Sequence, residues 1–128
     1  MRLAVVGSRN FRNEELVVWT LDLIEYLCGP FQLVSGGAIG PDSIAEEWYR
    51  DRLYADPDLD SPLIFEPDWN RLGRAAGPAR NSTIVSTANA VVAFWDGYSS
   101  GTYDTIRKSH LMNRPILVVY PDGRMELE

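Results

Sequence analysis

Hydrophobic positions in this chain fall into two kinds of segment that alternate along its length. Short continuous apolar runs, rich in β-branched residues, are typical of strands buried on both faces of a sheet. Between these runs, apolar residues recur at helical spacing. The continuous runs predict five strands, over residues 3–6, 31–34, 63–65, 90–95 and 116–120.

The clearest helical segment extends from Asn13 to Cys28. Asn13 is a good N-cap, Glu14 and Glu15 suit the positive first turn, and Gly29 is a typical stop signal. Further helices are predicted to start near Pro41 and to cover residues 78–87 and 102–113. Residues 66–77 are predicted to form a loop, and the polar tail over residues 122–128 either frays or adds a short strand.

Strands that alternate with helices in this way predict an α/β protein with an open, mainly parallel sheet and helices on both faces. Right-handed crossovers then favour a Rossmann-like, doubly wound sheet of about five strands in the order 3-2-1-4-5. The runs at residues 3–6 and 90–95 are the most apolar, so they are expected to lie side by side at the centre. We expect residues 1–121 to form a single domain and residues 122–128 to form a polar C-terminal tail.

Composition narrows the classes of function. The chain has 128 residues, with one cysteine and one histidine, so neither a disulfide scaffold nor a usual zinc site is expected, and no metal is predicted. No apolar run approaches the roughly 18 residues of a membrane span, and the N-terminus leads directly into a strand pattern, so a cytoplasmic protein is expected. With a formal net charge of -6, nucleic acid is not expected as a partner, although a local basic pocket remains compatible.

The unusual segments of the sequence all follow predicted strands. In a doubly wound sheet, ligands bind at the carboxyl ends of the strands, where the strand order reverses, here between the first and fourth strands. We therefore expect these segments to converge on one ligand site at that edge. The segments are Gly7-Ser8-Arg9, Ser35-Gly36-Gly37-Ala38, Asp68-Trp69 and the stretch from Asp96 to Thr102.

The stretch Ser99-Ser100-Gly101-Thr102 has the features of a phosphate-binding loop. Glycine allows close approach, the N-terminus of a helix is positive, and N–H and hydroxyl groups can donate to phosphate. The alternative interpretation is an ordinary helix cap. Arg9 and Arg80 could clamp an anion or could be surface charges, and Asn81 follows Arg80 at the same helix start.

Aromatic and acidic residues near the same edge complete the candidate site. Trp69 and Trp95 could stack on a base, or could belong to the core. Asp42 and Asp96 could hydrogen-bond ribose hydroxyls, or could cap helices and turns. Val18, Leu21 and Tyr26 widen the apolar surface of the first helix, which fits either a contact with a second subunit or packing under a loop.

Taken in order, these motifs resemble the YspA/YpsA-like branch of the SLOG superfamily, which also contains the Lonely Guy phosphoribohydrolases and the DNA-uptake protein DprA. The resemblance covers nearly the whole chain. It implies a Rossmann-like fold, a nucleotide-derived ligand at the strand ends and a homodimer. The motifs that carry it are Gly7-Ser8-Arg9 with Phe11, Val34-Ser35-Gly36-Gly37-Ala38 with Gly40 and Asp42, Trp69, Ala76-Gly77 with Arg80-Asn81, and Ala93-Phe94-Trp95-Asp96-Gly97 with Ser100-Gly101-Thr102.

The sequence departs from the Lonely Guy motif at one catalytic position. Thr105 stands where those enzymes have a glutamate, Asp104 is one residue early, and Arg80 matches the catalytic arginine. Binding of an ADP-ribose-like or nucleoside phosphate ligand, as a sensor, carrier or sequestering module, is therefore the preferred function, without a further cofactor. The alternatives are a hydrolase of the N-glycosidic or phosphate bond, using Arg80, Asp42 and Asp96, and DprA-like nucleic-acid binding.

Overall fold

Six strands form one sheet, and they are β1 (Arg2–Gly7), β2 (Gln32–Ser35), β3 (Leu63–Ile64), β4 (Ala90–Phe94), β5 (Ile116–Val119) and β6 (Met125–Leu127). Their order across the sheet is β3-β2-β1-β4-β5-β6. The computed structural model describes residues 1–128. All neighbouring strands are parallel except β6, which pairs antiparallel with β5. The predicted Rossmann-like α/β fold and the order of the first five strands are therefore confirmed.

Five α-helices and a short 3₁₀ turn over Gly73–Ala75 connect the strands. The best-patterned helix has the N-cap that the sequence predicts, because the side chain of Asn13 accepts a hydrogen bond from the N–H of Leu16 at 3.1 Å. No helix combines the length and the apolar character needed to cross a membrane. The helices are α1 (Glu14–Cys28), α2 (Pro41–Ala55), α3 (Trp69–Leu72), α4 (Ala76–Thr87) and α5 (Ser100–Leu111).

The two faces of the sheet carry separate apolar clusters. Alternate residues of β1 point to opposite faces, so Val5 packs in the cluster that includes α1 and α2, whereas Ala4 packs with Ile84 of α4 and Ile106 of α5. Strand β1 pairs with β2 on one side and with β4 on the other. The strand order therefore reverses between β1 and β4, the predicted position for a ligand site.

One segment differs from the sequence prediction, and a second decides between two alternatives that the sequence left open. Residues 66–77 do not form a simple loop, because α3 begins after Asp68, whose carboxylate accepts a hydrogen bond from the N–H of Arg71 at 3.2 Å. The sheet also has six strands instead of about five. Part of the polar tail forms β6, in which Met125 lies opposite Val119 and Leu127 lies opposite Leu117.

Candidate functional site

A cleft of about 680 Å³ opens at the carboxyl ends of β1 and β4. Drug-sized ligands occupy pockets of about 300–1,000 Å³, so the volume suits a nucleotide. Most residues proposed from the sequence lie in its lining, and Gly36, Gly37 and Trp95 do not. The proposed residues that do are Gly7, Ser8, Arg9, Ala38, Asp42, Trp69, Arg80, Asn81, Asp96, Ser99, Ser100, Gly101 and Thr102.

The N-terminus of α5 faces this cleft without a side-chain cap. Ser99 is the N-cap residue, but its hydroxyl donates to Asp96 Oδ1 at 2.9 Å and accepts nothing from the helix. The N–H groups of Ser100, Gly101 and Thr102 consequently have no acceptor within the protein. Uncapped N–H groups at the positive end of a helix are suited to binding an anion.

Asp96 organises the loop that precedes α5. Its Oδ1 accepts hydrogen bonds from the N–H groups of Tyr98 and Ser99, both at 2.8 Å. Partial burial raises the pKa of this carboxyl, but the hydrogen bonds from Ser99, Tyr98 and Ser8 outweigh it and lower the pKa to about 2. Asp96 is therefore a fixed anion, and it acts mainly as a loop-shaping group.

The loop after β1 is tied to the loop after β4. The N–H of Asp96 donates to Ser8 Oγ at 3.2 Å, and the N–H of Ser8 donates to the carbonyl of Phe94 at 3.0 Å. Ser8 Oγ also lies 3.4 Å from Thr102 Oγ1, and both side chains are buried. This chain of contacts holds the start of α5 in a fixed position against β1.

Asp42 also lines the cleft, in the first turn of α2. It is only 3% exposed, and its Oδ2 accepts hydrogen bonds from the N–H groups of Gly36, at 3.0 Å, and Ala38, at 3.4 Å. Burial raises the pKa of Asp42 to about 7, although these hydrogen bonds and the charge of Arg80 oppose the rise. A carboxyl that is partly protonated at neutral pH can both donate and accept hydrogen bonds.

Arg80 braces the wall on which Asp42 sits. Its Nη1 donates to the carbonyl oxygen of Gly36 at 2.6 Å, and its Nε donates to Asn81 Oδ1 at 3.0 Å. A side chain at Gly36 would collide with the guanidinium of Arg80 and would come within 3.0 Å of Asp42 Oδ2. Gly36 is therefore needed for close packing behind the cleft, and Arg80 is held as a brace at the same time as it borders the cleft.

The helix positions that differ from the Lonely Guy motif have distinct environments. Thr105 is buried and lines the cleft, and its hydroxyl donates to the carbonyl of Gly101 at 3.3 Å. The carboxylate of Asp104 does not line the cleft; it accepts from Asn81 at 3.1 Å and pairs with Lys108 at 2.8 Å. These interactions, stronger than the effect of its partial burial, lower the pKa of Asp104.

The two tryptophans lie in different places. Trp69 is 56% exposed at the rim of the cleft. Trp95 instead packs beside Tyr103 and Tyr120, with ring centroids 6.0 and 6.1 Å away, and its indole N–H donates to the carbonyl of Ser99 at 3.1 Å. The side chain of Trp95 thus supports the start of α5 from behind, where it cannot stack on a base in the cleft.

Several lining residues were not among the predicted site residues. Val6 and Ile84 are core residues whose edges reach the cleft, a position that no local motif reveals. Asn10 follows the Gly-Ser-Arg motif directly, and Gly77 and Pro78 precede Arg80, so proximity to those motifs was the available signal. The lining residues absent from the prediction are Val6, Asn10, Gly77, Pro78, Ile84 and Thr105.

The fold resembles a solved structure of DNA processing protein A (DprA) from Helicobacter pylori. That structure was described for its single-stranded DNA binding mode. The TM-score is 0.67 at 19% identity, and the match covers 93% of this chain and 65% of that chain. The Rossmann-like fold implied by the SLOG resemblance is confirmed, whereas the YspA/YpsA-like branch stays a prediction. The net charge led to the expectation that nucleic acid is not a partner. That expectation was wrong, because a protein with this fold binds single-stranded DNA.

Sequence comparison adds a second relationship. No protein-family model matches the chain. The Gene 61 protein of Mycobacterium phage D29 is 30% identical over 119 residues, which are 91% of this chain and 94% of the phage protein. Identity at this level over almost the full length of both chains means that this chain belongs to the same family as the phage Gene 61 protein.

Proposed function

We propose that the cleft binds a nucleotide-derived ligand, with its phosphate at the N-terminus of α5. The observation that carries this proposal is the set of N–H groups of Ser100, Gly101 and Thr102, which face the cleft without a protein acceptor. Arg9, exposed at the same cleft, adds a guanidinium that can pair with phosphate oxygens. Trp69 at the rim offers an aromatic face for a base.

The ligand is an ADP-ribose-like molecule or a nucleoside phosphate, and the protein acts as its sensor, carrier or sequestering module. The resemblance to the YspA/YpsA-like branch of the SLOG superfamily supports this choice. Arg9 and Arg80 are the only cationic side chains of the cleft, and Asp96 contributes a fixed negative charge, so a ligand with one or two phosphates matches the cleft. A third phosphate would add negative charge that these two arginines could not offset.

Single-stranded DNA is the second candidate ligand. The observation that favours it is the fold shared with DprA from Helicobacter pylori, whose structure was solved to explain single-stranded DNA binding. The same α5 N-terminus would then receive a phosphodiester or a terminal phosphate instead of a free nucleotide phosphate. A 5′-phosphorylated oligothymidylate therefore belongs in the same titration series as AMP and ADP-ribose.

The binding proposal predicts a ligand-dependent rise in stability. AMP or ADP-ribose at a hundredfold excess over its dissociation constant should stabilise the fold by about 2.7 kcal/mol, or roughly ten degrees in melting temperature. Gly101→Val should reduce the affinity at least tenfold, because the new side chain would stand before the free N–H groups. A Cβ at Gly101 meets no atom within 4 Å, so this variant should fold normally.

Thermal denaturation and calorimetric titration measure both effects. Ser86→Val, on an exposed part of α4 outside the cleft, is the matched control and should bind like the parent protein. If folded Gly101→Val protein bound AMP as well as the parent does, the α5 N-terminus would be only a structural helix end. If no nucleotide and no oligonucleotide bound at millimolar concentration, the proposed function would fail.

The hydrolase alternative makes a separate prediction. Thr105 has no charge, and Asp104 is engaged by Asn81 and Lys108, so no carboxylate of α5 can stabilise a developing oxocarbenium ion. Loss of one such group commonly costs about 10²–10³ in rate. AMP incubated with the protein should therefore release little adenine and ribose 5-phosphate by chromatography. Fast turnover that Arg80→Ala abolished would contradict the binding-module proposal.

A further inference from the structure

One carboxylate oxygen at the cleft has no partner in the protein. Both backbone N–H groups that reach Asp42 donate to Oδ2, and Oδ1 makes no hydrogen bond or ion pair. Every fully buried polar side-chain atom in the structure does have a partner, so Oδ1 must retain contact with open space. Because Asp42 is 97% buried and lines the cleft, that open space is the cleft itself.

We propose that Asp42 Oδ1 binds a ribose hydroxyl of the ligand and makes the cleft selective for ribonucleotides over deoxyribonucleotides. This inference rests on the proposed nucleotide function and names the substrate class of the same site. It also orients the ligand. The free N–H groups of Ser100, Gly101 and Thr102 place the phosphate at the N-terminus of α5, so the sugar lies beside Asp42 in the first turn of α2.

The chemistry of a hydroxyl suits this oxygen better than that of other ligand groups. A hydroxyl donates to an ionised carboxylate and accepts from a protonated carboxyl, whereas an ammonium suits only the ionised form and a carbonyl only the protonated one. Burial raises the pKa of Asp42 to about 7, so both forms are populated at neutral pH. The 2′-hydroxyl is the group that separates a ribonucleotide from a deoxyribonucleotide.

The rest of the wall prevents Asp42 from turning away from a ligand. Its Oδ2 is fixed by the N–H groups of Gly36 and Ala38, and Arg80 holds the carbonyl of Gly36. The nearest other carboxylate on α2, Glu46, is occupied by the hydroxyl of Ser35 at 2.6 Å. A ligand that lacks the hydroxyl would therefore leave a buried carboxyl oxygen covered and unpaired, which is costly.

The test is a calorimetric titration of the unmodified protein with AMP, 2′-deoxy-AMP, 3′-deoxy-AMP and a 5′-phosphorylated oligothymidylate. AMP should bind at least tenfold more tightly than 2′-deoxy-AMP, and more tightly than the oligonucleotide. The analogue 3′-deoxy-AMP keeps the 2′-hydroxyl and should also bind more tightly than 2′-deoxy-AMP. Equal affinities for AMP and 2′-deoxy-AMP, or tighter binding of the oligonucleotide, would overturn the inference. If none of the four probes binds, the proposed function fails, and the inference fails with it.

Variants of Asp42 test whether this residue causes the preference for AMP over deoxy-AMP. In Asp42→Ala the ratio of AMP to deoxy-AMP affinity should fall to about one. In Asp42→Asn, which can keep the hydrogen bonds from Gly36 and Ala38, the ratio should fall several-fold because a charge-assisted bond is lost. Asp51→Ala, on the exposed face of the same helix, should keep the ratio of the parent protein. An unchanged ratio in folded Asp42→Ala or Asp42→Asn protein would assign the preference to another residue and overturn the proposal.

Discussion

Asp42→Asn should increase the stability of the protein, and the increase should grow with pH. The pKa of Asp42 is raised from 3.8 to about 7 in the fold. Between these values the unfolded chain ionises while the folded protein keeps the proton, so the free energy of unfolding falls as pH rises. At 1.36 kcal/mol per pKa unit, the free energy of unfolding is lower than in acid by about 2 kcal/mol at pH 5 and by about 4 kcal/mol at pH 8.

An asparagine removes this loss because it cannot ionise and can still accept hydrogen bonds from Gly36 and Ala38. Urea denaturation followed by tryptophan fluorescence at pH 5 and pH 8 measures the difference. Asp51→Asn, exposed on the same helix, serves as the control and should change the unfolding free energy by less than about 0.5 kcal/mol at either pH. A stability gain in Asp42→Asn that was the same at both pH values would mean that the carboxyl ionises in the fold without cost.

Gly7→Ala should destabilise the fold by about 2–3 kcal/mol, a typical cost of overpacking a core. A Cβ at Gly7 would overlap the ring of Pro41 and lie 3.0 Å from the carbonyl oxygen of Phe94. The ring belongs to the first residue of α2 and the carbonyl to the neighbouring strand, so neither can move without shifting an element. The effect should therefore appear as a lower midpoint in urea.

Gly101→Ala is the matched control for this prediction, because a Cβ there meets no atom within 4 Å. Its midpoint should equal or exceed that of the parent protein, since alanine favours a helix over glycine. The contrast would separate the two glycines by role: Gly7 allows α2 to pack closely on β1, and Gly101 leaves space for a ligand. If Gly7→Ala were as stable as the parent, α2 would have to pack more loosely on β1 than the structure shows.

The elements that could be predicted from the sequence are those with strong local signals. The buried runs of β1 and β4 and the capped helix α1 follow directly from apolar patterning and from Asn13. Helix α3 was missed because it has four residues and depends mainly on the Asp68 cap. Strand β6 was left open because Met125 and Leu127 are its only apolar residues, and its pairing with β5 is a tertiary effect.

The candidate site also has some features that could be predicted from the sequence and others that only the fold creates. The convergence of loops on one sheet edge follows from topology, so Ser8, Asp42 and Gly101 could be placed together from sequence alone. The different positions of Trp69 and Trp95 could not be predicted, because they depend on which face of the sheet receives the residue after β4. The burial of Asp42 was also beyond sequence reasoning, since it arises from Gly36, Ala38 and Arg80, which are brought together only in the fold.

Strand β6 has a consequence for how this sheet behaves in solution. Without β6, the apolar strand β5 would present a row of unpaired backbone groups, a common starting point for edge-to-edge aggregation. Residues Met125–Leu127 cover that edge in antiparallel pairing and place Glu126 on the outer strand. At the opposite edge, β3 has only two residues, too few to template another chain. Both edges of the sheet are thus protected against edge-to-edge aggregation, one because its outer strand carries a charge and the other because its outer strand is very short.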